Sequence, residues 1–312
     1  MTSIIRTENS LICGKIQFDN YVILVFITVV AIYCTSHSMK KYIIKSPAKI
    51  NIGLRVLSRR KDGYHNIETI FYPIKLHDNI IVKINPSIKT KISVKVTGKK
   101  NKLYLNGKNN ICYQAVSLFL ERFGIIGNFD IKIIIRKNIP VGAGLGGGSS
   151  NAASVLKVLA KHFNFNYSSS TGKVSQLLQK LALELGSDVP FFLIGKPAYA
   201  AGRGEKLIPL PEFKVNYRIL IANPGIHVST AWAYKQLRIK NYELRNKKHL
   251  SKIKTFSITH EGKFINDFER VVFRKYPAIK KLKQEMYIKG AVFATMSGSG
   301  STVYGFFKNK KK

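Results

Sequence analysis

Acid is what this chain has least of. Its 16 aspartates and glutamates face 52 lysines and arginines, a formal net charge of +36. Such an excess suits nucleic acid or an anionic small molecule as partner. The basic residues are spread over the whole chain, though, the pattern of a general Lys/Ile/Asn bias rather than of a nucleic-acid face. Cysteine is scarce too. Cys13, Cys34 and Cys112 have no C-x-x-C spacing, and the first two lie in an N-terminal extension. That argues against a disulfide framework and fits a reducing, cytoplasmic compartment. Long apolar runs are also missing. The uncharged stretch Tyr21–Cys34 falls short of the about 20 residues that a membrane span needs. Asp19 sits just before it and no clear small-residue cleavage site follows, so a signal peptide has little support. No internal repeat is found. The 45% hydrophobic fraction is ample for packed cores.

Glycine, by contrast, is concentrated in Pro140, Val141, Gly142, Ala143, Gly144, Leu145, Gly146, Gly147, Gly148, Ser149 and Ser150. The β-branched run Phe129–Ile135 leads in as a strand. Ala152, Val155, Leu156 and Leu159 follow at i, i+3, i+4, i+7, so an amphipathic helix leads out. A glycine loop opening a helix binds anions: the first N–H groups lack partners, the helix dipole favours negative charge, and glycine lets a phosphate approach. A flexible turn is the plain alternative. Two phosphate loops are disfavoured by what is absent. No Asp or Glu occurs between Asp130 and Glu184, so a dinucleotide fold lacks its ribose-binding acid. Gly148 stands where a Walker A loop needs lysine.

What remains resembles the ATP loop of the GHMP kinases (galactokinase, homoserine, mevalonate and phosphomevalonate kinases). Three further motifs follow the family's order. Ser46-Pro-Ala-Lys-Ile-Asn-Ile-Gly-Leu54 reads as a strand with Ala48, Ile50 and Ile52 on one face and Lys49 and Asn51 on the other. A solvated edge is the ordinary fate of such a lysine; the resemblance implies an active-site lysine. Ser187-Asp-Val-Pro190 follows a helix with Leu177, Leu178, Leu181 and Leu185 as its stripe, capped from Ser168–Thr171 and ended by Gly186. At that helix end the dipole disfavours Asp188, which therefore needs a reason to be there. A turn aspartate is one reading; the resemblance implies the catalytic base. Met296-Ser-Gly-Ser-Gly-Ser-Thr302, between strands 291–295 and 303–307, is similar to the loop that closes over the phosphates.

Asp62-Gly-Tyr-His65 selects a branch. It matches the kinases that handle a cytidine diphosphate substrate, with Tyr64 and His65 on the cytosine; an aromatic plane and an imidazole suit stacking and edge recognition. Tyr234, on a helix over 228–237, is implied as a second aromatic there, with core packing nearly as good an account. The resemblance implies Lys49 and Asp188 as the catalytic pair. It puts Asn110 and Lys137 near the nucleotide beside Pro140–Ser150, although Asn110 also reads as a helix N-cap. Asn51, Ser299 and Thr302 would join Tyr64, His65 and Tyr234 at the acceptor. ATP and Mg²⁺ are implied, with the metal ligands open and Ser150 one option.

The remaining expectations are coarser. Strands are read at 67–72, 80–84, 91–96, 191–194 and 217–222, helices at 109–120 and 277–286, a hairpin over 198–210, and a solvated basic connection at 238–254. Phe264–Glu269 is read as structural. The resemblance implies an α+β, two-domain GHMP kinase fold, a ribosomal-protein-S5-like first domain and a ferredoxin-like α/β second domain with the site in the cleft. Its domains would be 39–212 and 213–312. Residues 1–38 would be a non-catalytic extension, either upstream of a true start at Met39 or an apolar leader; a membrane anchor is the rival. The implied reaction is ATP-dependent phosphorylation of the 2-hydroxyl of 4-diphosphocytidyl-2-C-methyl-D-erythritol, in non-mevalonate isoprenoid synthesis, by a monomer or homodimer without nucleic acid or membrane partners. A family kinase for another small alcohol and a basic nucleic-acid-binding protein are the alternatives.

Overall fold

A computed structural model of the chain describes residues 3–7, 10–14, 39–98, 106–165, 176–237 and 264–309, with positions 250, 253, 255, 256 and 262. Strands β1 (Ser3–Thr7) and β2 (Ser10–Gly14) pair antiparallel in a sheet of their own. The apolar stretch Tyr21–Cys34 and the proposed cap Ser168–Thr171 lie outside the described residues. Among the described residues no helix is long and apolar enough to cross a membrane.

The main sheet grows from two long strands, β3 (Lys40–Arg59) and β4 (His65–Pro86), paired antiparallel along their length. The runs expected as separate strands at 67–72 and 80–84 are one element. Pro73 lies within it, and proline cannot donate to a ladder. It falls between the stretch of β4 that pairs with β7 (Ala198–Gly202) and the stretch that pairs with β6 (Phe129–Lys137), so its missing N–H breaks neither of those ladders. On the other side of β6 lies β5 (Lys91–Gly98), parallel to it, while β8 (Lys206–Pro209) extends the sheet beyond β7. Helix α1 (Ile111–Arg122) makes the parallel crossover. With α2 (Gly147–His162), α3 (Gln176–Leu185) and α4 (Val189–Ile194) it covers one face of β4, β5 and β6, in a core that includes Phe119, Ile133, Leu156 and Phe191.

The second sheet has order β10 (Ala291–Met296), β11 (Val303–Phe307), β9 (Arg218–Ala222), all antiparallel. Helices α5 (Thr230–Leu237), α6 (Glu269–Lys275) and α7 (Pro277–Ile288) pack with it. The two sheets share a core of Ile50, Ile52, Ile70, Tyr199, Phe293, Tyr304 and Phe306. The Tyr304 hydroxyl donates to the Asn51 carbonyl at 2.8 Å, and Leu54 N–H donates to Ile265 O at 2.8 Å. These contacts bring the β3 strand of one sheet against the Gly/Ser loop of the other.

Two expectations give way here. Residues 191–194 are helical, not a strand. Pro190 sits in the first turn, where its fixed φ and missing N–H are tolerated, and Gly195 closes the element at φ +68°. The connection 238–254 is not solvated throughout: Leu250 and Ile253 are buried in the core between the sheets.

Candidate active site

Strand alternation puts Lys49 and Asn51 on the face of β3 away from Ala48, Ile50 and Ile52, yet all five are buried. Lys49 is only 4% exposed, so it is not the solvated edge residue that its type suggests. Its ammonium group donates to Asn51 Oδ1 at 2.6 Å and to Gly144 O at 3.2 Å, and lies 3.6 Å from Asp188 Oδ2. The Phe71 ring lies beneath it, with the ammonium 4.9 Å from the centroid. Burial pulls the Lys49 pKa down from its ordinary value, and the carboxylate of Asp188 opposes that shift. Asp188 itself follows α3 and is the N-cap residue of α4. The expected helix end is there, at Leu185, but a second helix begins at Val189, and the start of that helix is where a dipole favours an anion. The reason for an acid at this position is the following helix, which the sequence reading had taken for a strand.

The glycine loop crosses directly over this pair. Lys49 N–H donates to Leu145 O at 3.0 Å, and the Gly144 carbonyl accepts from Lys49 and, at 2.9 Å, from the Ser297 hydroxyl. Gly144 has φ +76°, and a Cβ there would lie 2.1 Å from Ser297 O, so only glycine fits. Helix α2 starts at Gly147. Ser150 N–H is already spent on Gly146 O, which leaves the amides of Gly147, Gly148 and Ser149 as the unpartnered end of the helix. All three line a cavity of about 420 Å³ together with Asn110, Lys137, Pro140 and Val141. A Cβ on Gly148 would meet nothing nearer than Ile111 at 4.0 Å, so the space before the helix is open to a ligand.

A second, larger cavity of about 1010 Å³ contains Lys49, Asn51, Asp188, Tyr64, His65, Tyr234 and Ser299. Gly144 and Gly146 line both cavities, so the loop is the wall between them. His65 and Tyr234 stack at 4.5 Å between centroids and 13° between planes, although they belong to β4 and α5. Burial, then the charge of Arg59, lowers the His65 pKa; burial, then Asp188, raises that of Tyr234. Tyr64 is 52% exposed at the cavity's edge. Trp232 packs edge-on against Tyr276.

Two of the expected residues face elsewhere, and two more reach the smaller cavity while bonded within the protein. Ser150 is fully buried with its hydroxyl 2.7 Å from Ser46 Oγ, and its side chain lines neither cavity, so it is unsuited to a metal or a phosphate. Thr302 is also fully buried. Its hydroxyl accepts from Asn223 at 2.9 Å and its N–H donates to Ala143 O at 3.3 Å, so it joins two loops instead of meeting a ligand. Lys137 does line the smaller cavity, but its ammonium is bound to Asp78 and Asn151. Asp78, fully buried, also accepts from the N–H groups of Asn138 and Ile139 at 2.7 and 2.8 Å, anchoring the chain just before the loop. Asn110 caps α1 through Cys112 N–H at 2.8 Å and lines the cavity as well.

Sequence reasoning missed Asp78, Phe71, Arg59, Arg203 and Lys235, the last four lining the larger cavity. Arg59 and Arg203 lie in stretches read as a polar loop and a hairpin turn, 58–65 and 202–205, without a role of their own, and only the scarcity of acid could have drawn attention to Asp78. Phe264–Glu269 is structural, as expected. Asn266 donates to Met296 O and Gly298 O at 2.7 and 2.9 Å, and Glu269 accepts from Met296 N–H at 2.9 Å, so this segment shapes the Gly/Ser loop.

Among the described residues there is no cluster of three or more His, Cys, Asp or Glu side chains suited to a metal. Asp188 is the one carboxylate among the residues that line these two cavities. That set fits a Mg²⁺ ion held chiefly by phosphate oxygens and water, as nucleotide-bound magnesium is, and not a dedicated protein cage.

Comparison with known proteins adds a separate line. Residues 110–196 match the GHMP kinases N terminal domain and residues 255–312 the GHMP kinases C terminal domain. The chain is 39% identical over 263 residues to a 4-diphosphocytidyl-2-C-methyl-D-erythritol kinase of Bacteroides thetaiotaomicron, covering 84% of this chain and 90% of the relative. It is 38% identical to that of Pelobacter propionicus, covering 88% and 92%. Among solved structures, a 4-(cytidine 5'-diphospho)-2C-methyl-D-erythritol kinase superposes with a TM-score of 0.62 at 32% identity, over 85% of this chain and 90% of that one. The mevalonate kinase of L. major superposes with a TM-score of 0.61 at 15% identity, over 88% and 89%, a likeness of fold alone.

Proposed function

This chain belongs to the 4-diphosphocytidyl-2-C-methyl-D-erythritol kinases of the GHMP kinase family, and from that premise we propose how its own residues carry the reaction. It transfers the γ-phosphoryl group of ATP to the 2-hydroxyl of 4-diphosphocytidyl-2-C-methyl-D-erythritol, releasing ADP, in the methylerythritol phosphate route to isoprenoid precursors. The observation that carries the residue assignment is the buried Lys49 ammonium, within 3.6 Å of Asp188 at the glycine wall shared by two cavities. One cavity suits a nucleotide's phosphates, the other an acceptor.

Phosphoryl transfer is chiefly positioning and neutralisation of charge. ATP supplies the phosphoryl group, and Mg²⁺ neutralises its charge, when they are bound. The amides of Gly147, Gly148 and Ser149, with the dipole of α2, hold phosphate oxygens. Asp188 accepts the proton of the acceptor hydroxyl as the new P–O bond forms. Lys49 keeps Asp188 ionised and faces the charge on the transferred group. Asn51 aims Lys49: its Oδ1 takes one ammonium hydrogen, and its own amide is fixed by Thr69 Oγ1 at 3.1 Å. Tyr64, His65 and Tyr234 take the cytosine. We assign residues 39–212 to the domain with the ATP loop and 213–312 to the domain that closes over it, working in the cytoplasm.

A coupled ADP-release assay with the cytidyl acceptor, against mevalonate and homoserine, tests the reading. Turnover is expected with the cytidyl acceptor only; equal or better turnover of mevalonate would sink the substrate assignment. Asp188→Asn should lower kcat by roughly 10³-fold, within the range for loss of a general base, with ATP affinity little changed. Full activity in that variant would rule out Asp188 as base.

A further inference from the structure

The turn between β7 and β8 is built more elaborately than a hairpin connection requires. Gly202 and Gly204 have φ +69° and +107°, which leaves Arg203 alone at the tip with a side chain. Glu205 folds back and accepts from Arg203 N–H at 2.6 Å. A Cβ on Gly202 would lie 2.7 Å from both Glu205 oxygens, so the strap needs that glycine. The result is a tight turn that holds one arginine in one place.

That arginine is aimed at the acceptor cavity. Its guanidinium carbon lies 4.8 Å from the centroid of the Tyr64 ring, and Arg203 lines the cavity with Tyr64, His65 and Tyr234. Tyr64 otherwise has little to hold its side chain. Its backbone is fixed, since Arg60 N–H donates to Tyr64 O at 2.8 Å and Tyr64 N–H to Asp62 Oδ1 at 3.2 Å. The ring itself is half exposed on a loop. Arg60 binds Asp62 at 2.7 Å, so the loop's own strong ion pair is internal. Of the aromatic groups at this end of the cavity, His65 and Tyr234 brace each other; Tyr64 is braced by Arg203.

We propose that Arg203 is a specificity-determining residue of the acceptor site, holding the Tyr64 ring as a fixed wall against which a cytosine base of a nucleoside diphosphate stacks. The inference rests on the cytidyl reading of this cavity given above. A guanidinium plane on one aromatic face leaves the other face for a base and polarises the ring toward it. The cations Lys49, Arg59, Arg203 and Lys235 line this cavity against the single carboxylate Asp188.

The test is calorimetric titration of CDP into the full chain saturated with ADP, so that the smaller cavity is filled. Arg203→Met, which keeps bulk without charge or planarity, should weaken CDP about five- to tenfold, the range of a partly desolvated cation–π contact. ADP affinity should stay within about twofold, which a general loss of structure would not allow. Arg203→Lys should recover part of the loss. In a Tyr64→Leu background, Arg203→Met should add little, because its partner is gone. Unchanged CDP affinity in Arg203→Met would overturn the proposal, and so would an equal loss with and without Tyr64. Failure of the kinase reading is separately visible: CDP binding that depends on Arg203, without phosphoryl transfer to the cytidyl acceptor, would sink the reaction and leave this site standing.

Discussion

At the scale of single residues, two lysines are held where their type is rarely found. Lys49 is buried beside Asp188, and burial lowers its pKa. A depressed lysine loses its proton below the ordinary value of about 10.4. Because the proposed role needs the cation, kcat should fall on the alkaline side at a pH below that value. Lys49→Arg should be slow, since a planar fork does not replace a point charge. Its residual rate should lack that alkaline limb, and a pH–rate profile of both proteins checks this; an identical limb in the variant would clear Lys49 of the effect. Lys157, on α2, is pushed by burial from 10.5 to about 8. A folded state that binds the proton less tightly than the unfolded chain gains stability as pH rises between those two values. Lys157→Met should therefore be more stable than the parent at pH 7, by about 1–3 kcal/mol. The advantage should shrink toward pH 10, as denaturant titrations at several pH values will report. The period of two already paired Lys49 with Asn51 on one face; that this face is sealed from water depended on the glycine loop and Phe71, both distant in sequence.

At the scale of elements, the loop and the helix it opens answer to different constraints, and two glycines separate them. Gly144 meets Ser297 O across the molecule, so Gly144→Ala should destabilise the fold by more than about 2 kcal/mol, as overpacking and a strained φ combine. Gly148 is in the first turn of α2 with open space before it. Gly148→Ala should leave stability equal or raise it by up to about 1 kcal/mol through helix propensity, yet weaken ATP because the methyl group fills phosphate space. Chemical melts and ATP titrations of the pair separate packing from binding; if Gly148→Ala bound ATP normally, the phosphate assignment would be wrong. Element types were legible where periodicity was long, as in α1, α2 and α7. They were misread where six residues, Val189–Ile194, carried no period to distinguish strand from helix. The dipole argument at Asp188 failed for the same reason: the helix that matters to it had been read as a strand.

At the scale of the whole molecule, the two sheets act as one because buried polar links cross between them. Tyr304→Phe removes the donor to the Asn51 carbonyl and should cost about 1–2 kcal/mol. It should also raise the KM of the acceptor more than that of ATP, because Asn51 lines the acceptor cavity and not the other. Equal changes in both constants would show that the link serves stability alone. Motif order along the chain carried the family and its fold, and suggested the proposed Lys49–Asp188 pair, before any coordinates, since each motif is a local backbone requirement: glycine where φ is positive, small residues where chains touch, polar residues on one face of a strand. What the tertiary structure alone decided is which of those residues share a space. Ser150 and Thr302 turned inward to bond Ser46 and Asn223, while Asp78 and Phe71 came to the loop or the cavities without a motif to announce them, and Arg203 from a turn read only for its glycines. Sequence spacing encodes what neighbours on one strand or helix must do; the direction of a side chain in a packed interior is settled by partners far away along the chain, as Tyr304 and Asn51 are at a separation of 253.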